Sequence, residues 1–303
     1  VQARPDEPLR IVDHGHGLSV AATPTLQIAV SGTIVDGPHL AGRLGLAADA
    51  GPAALVLGAY QQLGRDWLDA VRGSFALIVC DQQRARVFAV RDPMGLHPLF
   101  FVRDGRSLLF SWSTDALLAQ PAVSGDLNRV LLAEHLLHRW SDARETYLLH
   151  VTRVPGGHVL EATSSDVTQR RYWDPAVAGQ HEGSEESQIA LFERAFDRAV
   201  LRCLAEGPTA IWLSGGLDSI SVAAVAADVA ARAGALGPDA LSLGFPDAAG
   251  NEEPVQRGVA AALGLSQDYV PFDATVGERG LLPLATELAA TWPMPMTNLW
   301  NPA

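Results

Sequence analysis

The sequence has little of what marks secreted or membrane proteins. Among its 303 residues only two are cysteines, Cys80 and Cys203. Each lies within an apolar run, which predicts buried free thiols in a reducing cytoplasm rather than a disulfide framework. No stretch reaches the roughly 20 apolar residues that a membrane span needs, and no apolar targeting segment opens the sequence. We therefore expect a cytoplasmic protein without a membrane partner.

Basic residues are also scarce. The chain has 22 basic residues against 34 acidic ones, which gives a formal net charge of -12. No run of basic residues forms the patch that binding to a phosphate backbone requires, so we expect no nucleic acid partner. The hydrophobic fraction of 48% is enough for substantial cores, and the length is typical of about two domains.

The first half of the chain has the pattern of a largely antiparallel sheet with helices. Residues 73–81 and 86–90 are predicted to form two strands joined by a polar turn. Helices are predicted over residues 54–62 and 127–139, with Asp126 as the N-cap of the second. These elements predict an α+β domain.

A polar segment at residues 179–187 has the composition of a linker. Strands and helices alternate after it, which predicts a parallel α/β sheet. The predicted strands are 209–213 (buried), 241–245 and 269–272 (an edge strand), and the predicted helices are 187–205, 219–235 and 253–263. We place one domain at residues 1–178 and a second at residues 188–303.

The segment Ser-Gly-Gly-Leu-Asp-Ser at residues 214–219 lies where the first strand of the second half turns into a helix. Ligands collect at the carboxyl ends of parallel strands, so this position predicts a binding site. Gly215 and Gly216 lack Cβ atoms, which lets backbone N–H groups close around phosphate oxygens at the helix N-terminus. Ser214 and Ser219 can add hydroxyl donors. A carboxylate beside a polyphosphate requires a bridging cation, so Asp218 is predicted to bind Mg²⁺.

The segment has neither the Gly-Lys-Ser/Thr of a Walker A loop nor the Rossmann fingerprint. It resembles the PP-loop of ATP pyrophosphatases, which release pyrophosphate and leave AMP on the substrate. The resemblance implies ATP and Mg²⁺ as cofactors. Gly244, at the end of the next strand, is expected to let the adenine approach, with Leu213 and Leu243 as apolar walls. The predicted nucleotide-binding residues are Leu213, Ser214, Gly215, Gly216, Leu217, Asp218, Ser219, Leu243 and Gly244.

Five ordered motifs together carry a family resemblance. They are Ser31-Gly32-Thr33-Ile34-Val35, Gly73-Ser74-Phe75-Ala76, Arg91-Asp92-Pro93-Met94-Gly95-Leu96-His97-Pro98-Leu99, Val154-Pro155-Gly156-Gly157 with Tyr172-Trp173, and the PP-loop. With them the chain resembles the asparagine synthetase superfamily from about residue 30 onward. The resemblance implies an N-terminal glutaminase-like domain of the Ntn-type αββα fold, followed by an α/β parallel-sheet PP-loop synthetase domain. It also implies that the family's catalytic acid/base residues and pyrophosphate-facing Lys lie C-terminal to Ala303, so the second domain is expected to be incomplete.

The chain departs from the family where a working glutaminase needs an N-terminal Cys nucleophile, an Asn-Gly oxyanion hole and carboxylates that hold glutamine. Ser31 occupies the position of the family's Asn, and Thr33 occupies the position of a Glu. Residues 51–54 (Gly-Pro-Ala-Ala) replace the family's Ser-Asp-Thr-Glu segment, and no Cys lies near the start. By comparison with relatives, Arg91 is expected to buttress the sheet. We therefore expect an inactive first domain and a substrate that carries its own amine.

Two kinds of relative fit such a substrate: β-lactam synthetase, which closes a small ring, and lasso peptide cyclases, which join a peptide's N-terminal amine to an Asp or Glu side chain. Residues 245–257 and 292–300 look more like the lasso cyclases. The favoured hypothesis is macrolactam closure of a precursor or core peptide, with a leader-peptide protease or recognition protein as a further partner. A β-lactam-synthetase-like enzyme for a small amino acid derivative, an asparagine synthetase, and a non-catalytic peptide-binding scaffold stay open.

Some polar residues carry weaker signals. The pairs His14/His16 and His135/His138 lack a third metal ligand at a useful spacing. Asn251 and Glu252, near the second predicted strand of the second half, are favoured as part of a solvated helix start over a contact with nucleotide or metal.

Overall fold

The computed structural model describes residues 1–5, 7–10, 17–105, 107–139, 142–177, 183–247, 250–277 and 280–291. These residues form two compact units: one comprises the described residues up to 177 together with 289–291, and the other comprises the described residues from 183 to 288. We call them unit 1 and unit 2, in chain order. No helix within the described ranges is long and apolar enough to cross a membrane.

Unit 1 is built from two antiparallel sheets and short helices. Its strands are β1 (Gln2–Arg4), β2 (Glu7–Arg10), β3 (Ser19–Ala22), β4 (Leu26–Ile34), β5 (Gly73–Asp81), β6 (Arg86–Arg91), β7 (Phe100–Asp104), β8 (Ser107–Ser111), β9 (Thr152–Arg153), β10 (His158–Ala162) and β11 (Val167–Arg171). Its α-helices are α1 (Gly37–Leu44), α2 (Pro52–Gln62), α3 (Trp67–Ala70), α4 (Thr114–Leu118) and α5 (Arg129–Leu136).

The strands of unit 1 pair in two sheets. One sheet has the order β2-β1-β8-β7-β9, and the other has the order β11-β10-β6-β5-β4-β3. All of these pairings are antiparallel. The register of β5 and β6 runs from Ala76 opposite Arg91 to Asp81 opposite Arg86, which confirms the predicted hairpin.

The sheets of unit 1 pack in layers. Along β4, Ile28 and Val30 point into a core beneath α1, α2 and α3, whereas Ala29 points into a second core between the two sheets. Phe110 of β8 fills that second core from the five-stranded side. Leu117 of α4 packs against the outer face of the five-stranded sheet. The order is helix, sheet, sheet, helix, which confirms the αββα fold implied by the resemblance.

Helix α5 differs from its prediction at both ends. The N-cap is Asn128, whose side chain accepts a hydrogen bond from the backbone N–H of Leu131 at 3.1 Å, so the prediction of Asp126 was wrong. The helix ends at Leu136, three residues before the predicted end. His138 adopts a left-handed backbone conformation with φ of 52°, and an α-helix does not continue through such a residue.

Unit 2 alternates strands with helices. Its elements are α6 (Glu185–Leu204), β12 (Ala210–Trp212), α7 (Leu217–Ala233), β13 (Asp239–Gly244), α8 (Glu253–Leu263), β14 (Gln267–Pro271), α9 (Phe272–Val276) and α10 (Leu281–Thr291). The three strands form a parallel sheet in the order β12-β13-β14. This arrangement confirms the predicted parallel α/β sheet.

Two burial predictions for unit 2 were wrong. Strand β12 is not a buried strand but one edge of the sheet, and its Trp212 is 61% exposed. Cys203 of α6 is exposed, because the helix packs on α7 through a stripe that includes Val200 and Leu204 and leaves Cys203 beside it. Cys80 in unit 1 is buried as predicted, and burial raises the pKa of its thiol to about 11.

The core of unit 2 around β12 and β13 is made mostly of small side chains. Its buried members are Leu213, Ala223 of α7, Ala240 of β13 and Ala260 of α8. Alanine loses no side-chain rotamer freedom on burial but removes little apolar area from water. The helices can therefore approach the sheet closely, at the cost of a small hydrophobic contribution to stability.

Candidate functional site

The candidate site of unit 2 is the loop between β12 and α7. Leu213 at the start of this loop is buried, with 1% of its surface exposed. Its backbone N–H donates to the Leu241 carbonyl at 2.8 Å, and its own carbonyl accepts a hydrogen bond from Ser242 Oγ at 2.9 Å. The chain is thus hydrogen-bonded to the neighbouring strand as far as Leu213. The residues that follow leave the sheet at its carboxyl end and lie at the surface.

The two serines of the loop bind each other. Ser214 Oγ and Ser219 Oγ lie 2.9 Å apart, and Ser219 Oγ accepts the Ser214 backbone N–H at 3.1 Å. Ser214 Oγ also accepts the N–H of Gly216 at 3.1 Å. In this structure the hydroxyls of Ser214 and Ser219, which were predicted to donate to a ligand, form hydrogen bonds within the loop and hold its two ends together. Their predicted role toward a ligand stays a prediction.

Glu252, which immediately precedes α8, contacts this loop, whereas the sequence interpretation favoured a solvated helix start for it. Its Oε2 accepts the backbone N–H of Gly215 at 2.8 Å, so it does not lie at a purely solvated helix start. A Cβ on Gly215 would lie 3.0 Å from both Cβ and Cδ of Glu252, and glycine therefore permits this approach. The sequence contained a signal for this contact. Helix α8 follows β13, and the carboxyl ends of β13 and β12 lie side by side in a parallel sheet.

Asp218 lies in the first turn of α7 and is exposed. Its carboxylate makes no hydrogen bond or ion pair with any other residue that the structure describes. Leu217 beside it is 77% exposed. No cluster of three or more metal-capable side chains occurs within the described ranges, so the assignment of Asp218 to a metal stays a prediction.

Gly244 is buried at the end of β13, and its neighbour Leu243 is half-buried. A Cβ on Gly244 would meet the hydroxyl of Tyr269 at 1.8 Å, so the absence of a side chain makes room for the tyrosine ring. Tyr269 donates to Glu253 at 2.9 Å, and the Arg257 guanidinium lies 4.5 Å from the centre of its ring. The expected approach of an adenine at Gly244 stays a prediction, and on this side it requires Tyr269 to move.

The glutaminase-like positions of unit 1 lie on β4 and at the start of α2. Ser31 is buried, with 3% exposed, and its Oγ lies 2.9 Å from Nε2 of His97. Burial lowers the pKa of His97, with the nearby Asp92 opposing that shift, so the imidazole is neutral near pH 7. Residues 51–54 begin α2, where the N–H of Ala53 donates to Ser19 Oγ at 3.1 Å. The residues at these positions provide no carboxylate.

The loop that brings His97 to Ser31 is held by Arg91 and Asp92. Arg91 donates to the carbonyls of His97, Gly95 and Val154 at 2.6, 2.6 and 3.0 Å. Asp92 is fully buried and its carboxylate accepts the N–H groups of residues 96 and 97 at 3.0 and 2.8 Å. Burial lowers the pKa of Arg91 to about 10. The predicted buttressing role of Arg91 is confirmed.

Of the remaining predicted positions, some have a structural contact and others lie outside the described residues. His135 Nδ1 lies 2.6 Å from the hydroxyl of Tyr147, which accounts for its polar contact without a metal. His14, His16 and the segment 292–300 lie outside the described residues, as do residues 179–182 of the predicted linker.

Comparisons with known proteins match both halves of the chain. A glutamine amidotransferase domain model matches residues 44–173, and an asparagine synthase model matches residues 191–296. Asparagine synthetase [glutamine-hydrolyzing] 3 of Bacillus subtilis is 31% identical over 175 residues, which cover 57% of this chain and 28% of that protein. Amidase chyE of Penicillium rubens is 26% identical over 234 residues, which cover 72% of this chain and 34% of that protein.

Among solved structures, the glutamine phosphoribosylpyrophosphate amidotransferase of B. subtilis complexed with ADP and GMP aligns at a TM-score of 0.36 and 14% identity. The alignment covers 84% of this chain and 48% of that one. The chain spans about a third or less of the length of the two curated relatives described above.

Proposed function

Because the chain belongs to the asparagine synthetase superfamily, we propose that its protein uses ATP to activate a carboxylate as an acyl-adenylate and converts it to an amide. The observation that carries the proposal is the loop of residues 214–219. It stands at the carboxyl end of a parallel strand, opens a long helix and presents at Asp218 a carboxylate with no partner among the residues that the structure describes. A non-catalytic scaffold has no need for such a carboxylate at an anion-binding helix N-terminus.

The residues of the loop fit a magnesium nucleotide. Backbone N–H groups of Gly215 and Gly216 and the N-terminus of α7 are suited to phosphate oxygens. Carboxylate oxygens are the ligands that Mg²⁺ prefers, and Asp218 offers one, whereas the carboxylate of Glu252 holds the N–H of Gly215 in this structure. Bound Mg²⁺ would neutralise charge on the phosphates during adenylation. Holding the phosphates and orienting the metal are the roles we propose for these residues.

The amine is proposed to come from the substrate itself. Ser31, where the family has its oxyanion-hole Asn, is buried against His97, and Thr33 and the start of α2 provide no carboxylate for glutamine. The nearby Gly32 is fixed by the pairing of β4 with β5, so its presence is explained by structure alone. Unit 1 is thus proposed to act as a scaffold without glutaminase activity.

The finer proposal is macrolactam closure of a lasso-type peptide, in which the N-terminal amine attacks an activated Asp or Glu side chain. Phe245, just after β13, and Phe272, at the start of α9, have ring centroids 5.2 Å apart, and both lie at the same end of the sheet as the loop. Such an aromatic pair can pack against a peptide. A precursor peptide would then be the substrate, with a leader-peptide protease or recognition protein as a further partner.

Intact-mass analysis tests the proposal directly. The full-length protein is incubated with ATP, Mg²⁺ and candidate precursor peptides. The expected result is AMP together with a peptide lighter by one water. AMP release that requires a small amino acid derivative would instead support a β-lactam-synthetase-like enzyme. AMP release with aspartate and ammonia would support an asparagine synthetase. If no substrate leads to AMP, the result would support the non-catalytic scaffold.

Glutamine is expected to be inert toward this protein. Because Ser31, Thr33 and residues 51–54 stand where the family has its oxyanion-hole Asn and glutamine-binding carboxylates, incubation with glutamine should release no glutamate above the buffer blank. The measurement is a coupled glutamate assay, with a glutamine-hydrolysing asparagine synthetase as the positive control. Glutamate release at a comparable rate would show that unit 1 retains a working glutaminase.

Glu252→Gln is expected to strengthen the binding of metal-free ATP. The carboxylate of Glu252 takes the N–H of Gly215 that a phosphate oxygen would accept, and its charge repels the nucleotide. Removing the charge should lower the Kd by about fivefold, which corresponds to roughly 1 kcal/mol. Isothermal titration calorimetry measures the change. The matched control is Glu253→Gln, because Glu253 faces Arg257 and Tyr269 instead.

A different outcome would reassign Glu252. If Glu252→Gln weakens the binding of ATP when Mg²⁺ is present and leaves metal-free binding unchanged, the carboxylate acts as a metal ligand and not as a competitor of the phosphates.

A further inference from the structure

A groove on unit 1 lies outside both regions described above. Helices α2 and α3 cover the central strands of the six-stranded sheet, and beyond them a space of about 730 Å³ opens toward β6, β10 and β11. Arg65 and Trp67 line it from the helical side, and Arg86 and Arg170 line it from the strands. We call this space the arginine groove. Its volume is in the range of ordinary ligand pockets.

Strand register explains why these side chains share one face. Glu161 of β10 lies opposite Phe88 of β6, and Val159 lies opposite Arg170 of β11. Val159 belongs to the core beneath the helices, so Glu161, two residues further along, points to the same face. The outer strands therefore present Arg86, Phe88, Glu161 and Arg170 together where the helical layer stops.

The arginine groove has an excess of positive charge on a chain whose net charge is -12. Four guanidinium groups line it, from Arg65, Arg84, Arg86 and Arg170. Arg84 is paired with Asp81 at 2.7 Å, and Arg86 with Glu161 at 3.0 Å. Arg65 and Arg170 make no ion pair with any residue in the described part of the chain. Two positive charges thus stay uncompensated, one on the helical side and one on the edge strand.

The floor between these two charges is aromatic. Tyr60 lies 5.4 Å from Trp67 and 5.9 Å from Phe88 between ring centroids. The Tyr60 hydroxyl donates to Asp81 at 2.8 Å, so its hydrogen-bonding capacity as a donor is already used. The floor therefore offers mainly carbon surface, and it favours an apolar group between two anionic ones.

We propose that the arginine groove binds an acidic peptide segment, with two carboxylates on Arg65 and Arg170 and an apolar side chain over Phe88 between them. Every basic residue of the chain is an arginine, and the planar guanidinium matches a carboxylate with two parallel hydrogen bonds. Arg86 already holds Glu161 on the wall of the groove. The proposal does not depend on amide formation by unit 2.

A peptide fits these observations better than nucleic acid does. Two uncompensated charges are few for a phosphate backbone, whose binding needs an extended basic patch. An acidic peptide needs only separated charges and an apolar contact, which this groove supplies.

The test is a fluorescence anisotropy titration of the full chain with a short fluorescein-labelled peptide of alternating Glu and Leu. The double variant Arg65→Glu, Arg170→Glu should weaken binding by roughly tenfold or more, and Arg65→Gln, Arg170→Gln should have an intermediate effect. The control double variant Arg103→Glu, Arg129→Glu makes the same charge change at exposed positions that do not line the groove, and it should bind as the unaltered chain does.

Three outcomes would overturn the proposal: equal weakening in the control variant, equal binding of a Gln-for-Glu peptide, or absence of binding by the unaltered chain. Displacement of the peptide by single-stranded RNA, with the same dependence on Arg65 and Arg170, would also overturn it in favour of a nucleic acid ligand. Circular dichroism of each variant identifies any that fails to fold, and the glutamine variants keep the test decisive in that case.

Discussion

Asp218→Ala is expected to reduce the ATP-dependent formation of AMP by at least about a hundredfold while leaving the fold of unit 2 intact. The carboxylate is exposed in the first turn of α7 and has no partner among the described residues, so its removal costs no internal contact. If it holds Mg²⁺ against the phosphates, its loss removes several kcal/mol of charge stabilisation from the adenylation step. Single-turnover assays of AMP with radiolabelled ATP measure the effect.

The matched control for this variant is Asp228→Ala on the same helix. Asp228 is also exposed, but it pairs with Arg232 at 2.9 Å and lies far along α7 from the loop. We expect it to keep full activity, with a stability change typical of a surface ion pair, below about 1 kcal/mol. AMP formation at the same rate in the Asp218 and Asp228 variants would remove the basis for placing the metal at Asp218.

Gly32→Ala is expected to destabilise unit 1 by at least about 3 kcal/mol. Gly32 has a φ of 99° within β4, where an L side chain is strained. A Cβ there would lie 2.2 Å from the backbone carbonyl oxygen of Ser74 on the paired strand. Because that obstacle is backbone of the paired strand in the β4–β5 ladder, it cannot move aside as a flexible side chain would. Urea denaturation followed by tryptophan fluorescence measures the loss.

Gly105→Ala separates the two causes of this effect. Gly105 also has a positive φ, 57°, but an added Cβ would meet nothing within 4 Å. Its replacement should cost about 1 kcal/mol, the price of the backbone conformation alone. Equal losses in the two variants would show that the contact with Ser74 contributes nothing, and that the glycine of the Ser31-Gly32 motif is required for another reason.

Much of the fold followed from local patterns in the sequence. The hairpin of β5 and β6 is marked by two apolar runs around a polar turn, and the parallel sheet of unit 2 by regular alternation of strands and helices. The hairpin depends on contacts close in sequence, and the parallel sheet follows from the alternation of elements although its strands pair across long crossovers; both were predicted correctly. The loop at residues 214–219 was placed at a strand-to-helix turn for the same reason.

The wrong predictions concern burial and helix capping, which depend on contacts in the folded protein. The apolar sequence of β12 predicted burial, but an edge position exposes Trp212. Cys203 lies in an apolar run of α6 whose residues face different sides of the helix. Some of them pack against α7, whereas Cys203 lies on the exposed side. The N-cap of α5 is Asn128 and not Asp126, because both polar residues precede the helix and only the side chain of Asn128 caps it. None of these outcomes can be calculated from a local window.

Contacts between distant segments were the hardest to foresee. Glu252 meets Gly215 across 37 positions, and Ser31 meets His97 across 66. The arginine groove combines side chains from the helical layer and three strands. The residue limits of the two predicted domains and the ligands of the predicted nucleotide site stay predictions.

The small core of unit 2 should make its stability sensitive to a bound ligand. Among the fully buried residues of the core around β12 and β13, Leu213 is accompanied by alanines, and the larger aliphatic side chains there are only partly buried, so the free energy of unfolding that this unit draws from apolar burial is modest. A ligand present at 100 times its Kd adds about 2.7 kcal/mol to the native state, which would be a large share of the total for such a unit. Heat denaturation followed in the presence of a compound library should therefore reveal the nucleotide, and any second substrate that binds with it, through raised melting temperatures, even with no turnover to measure.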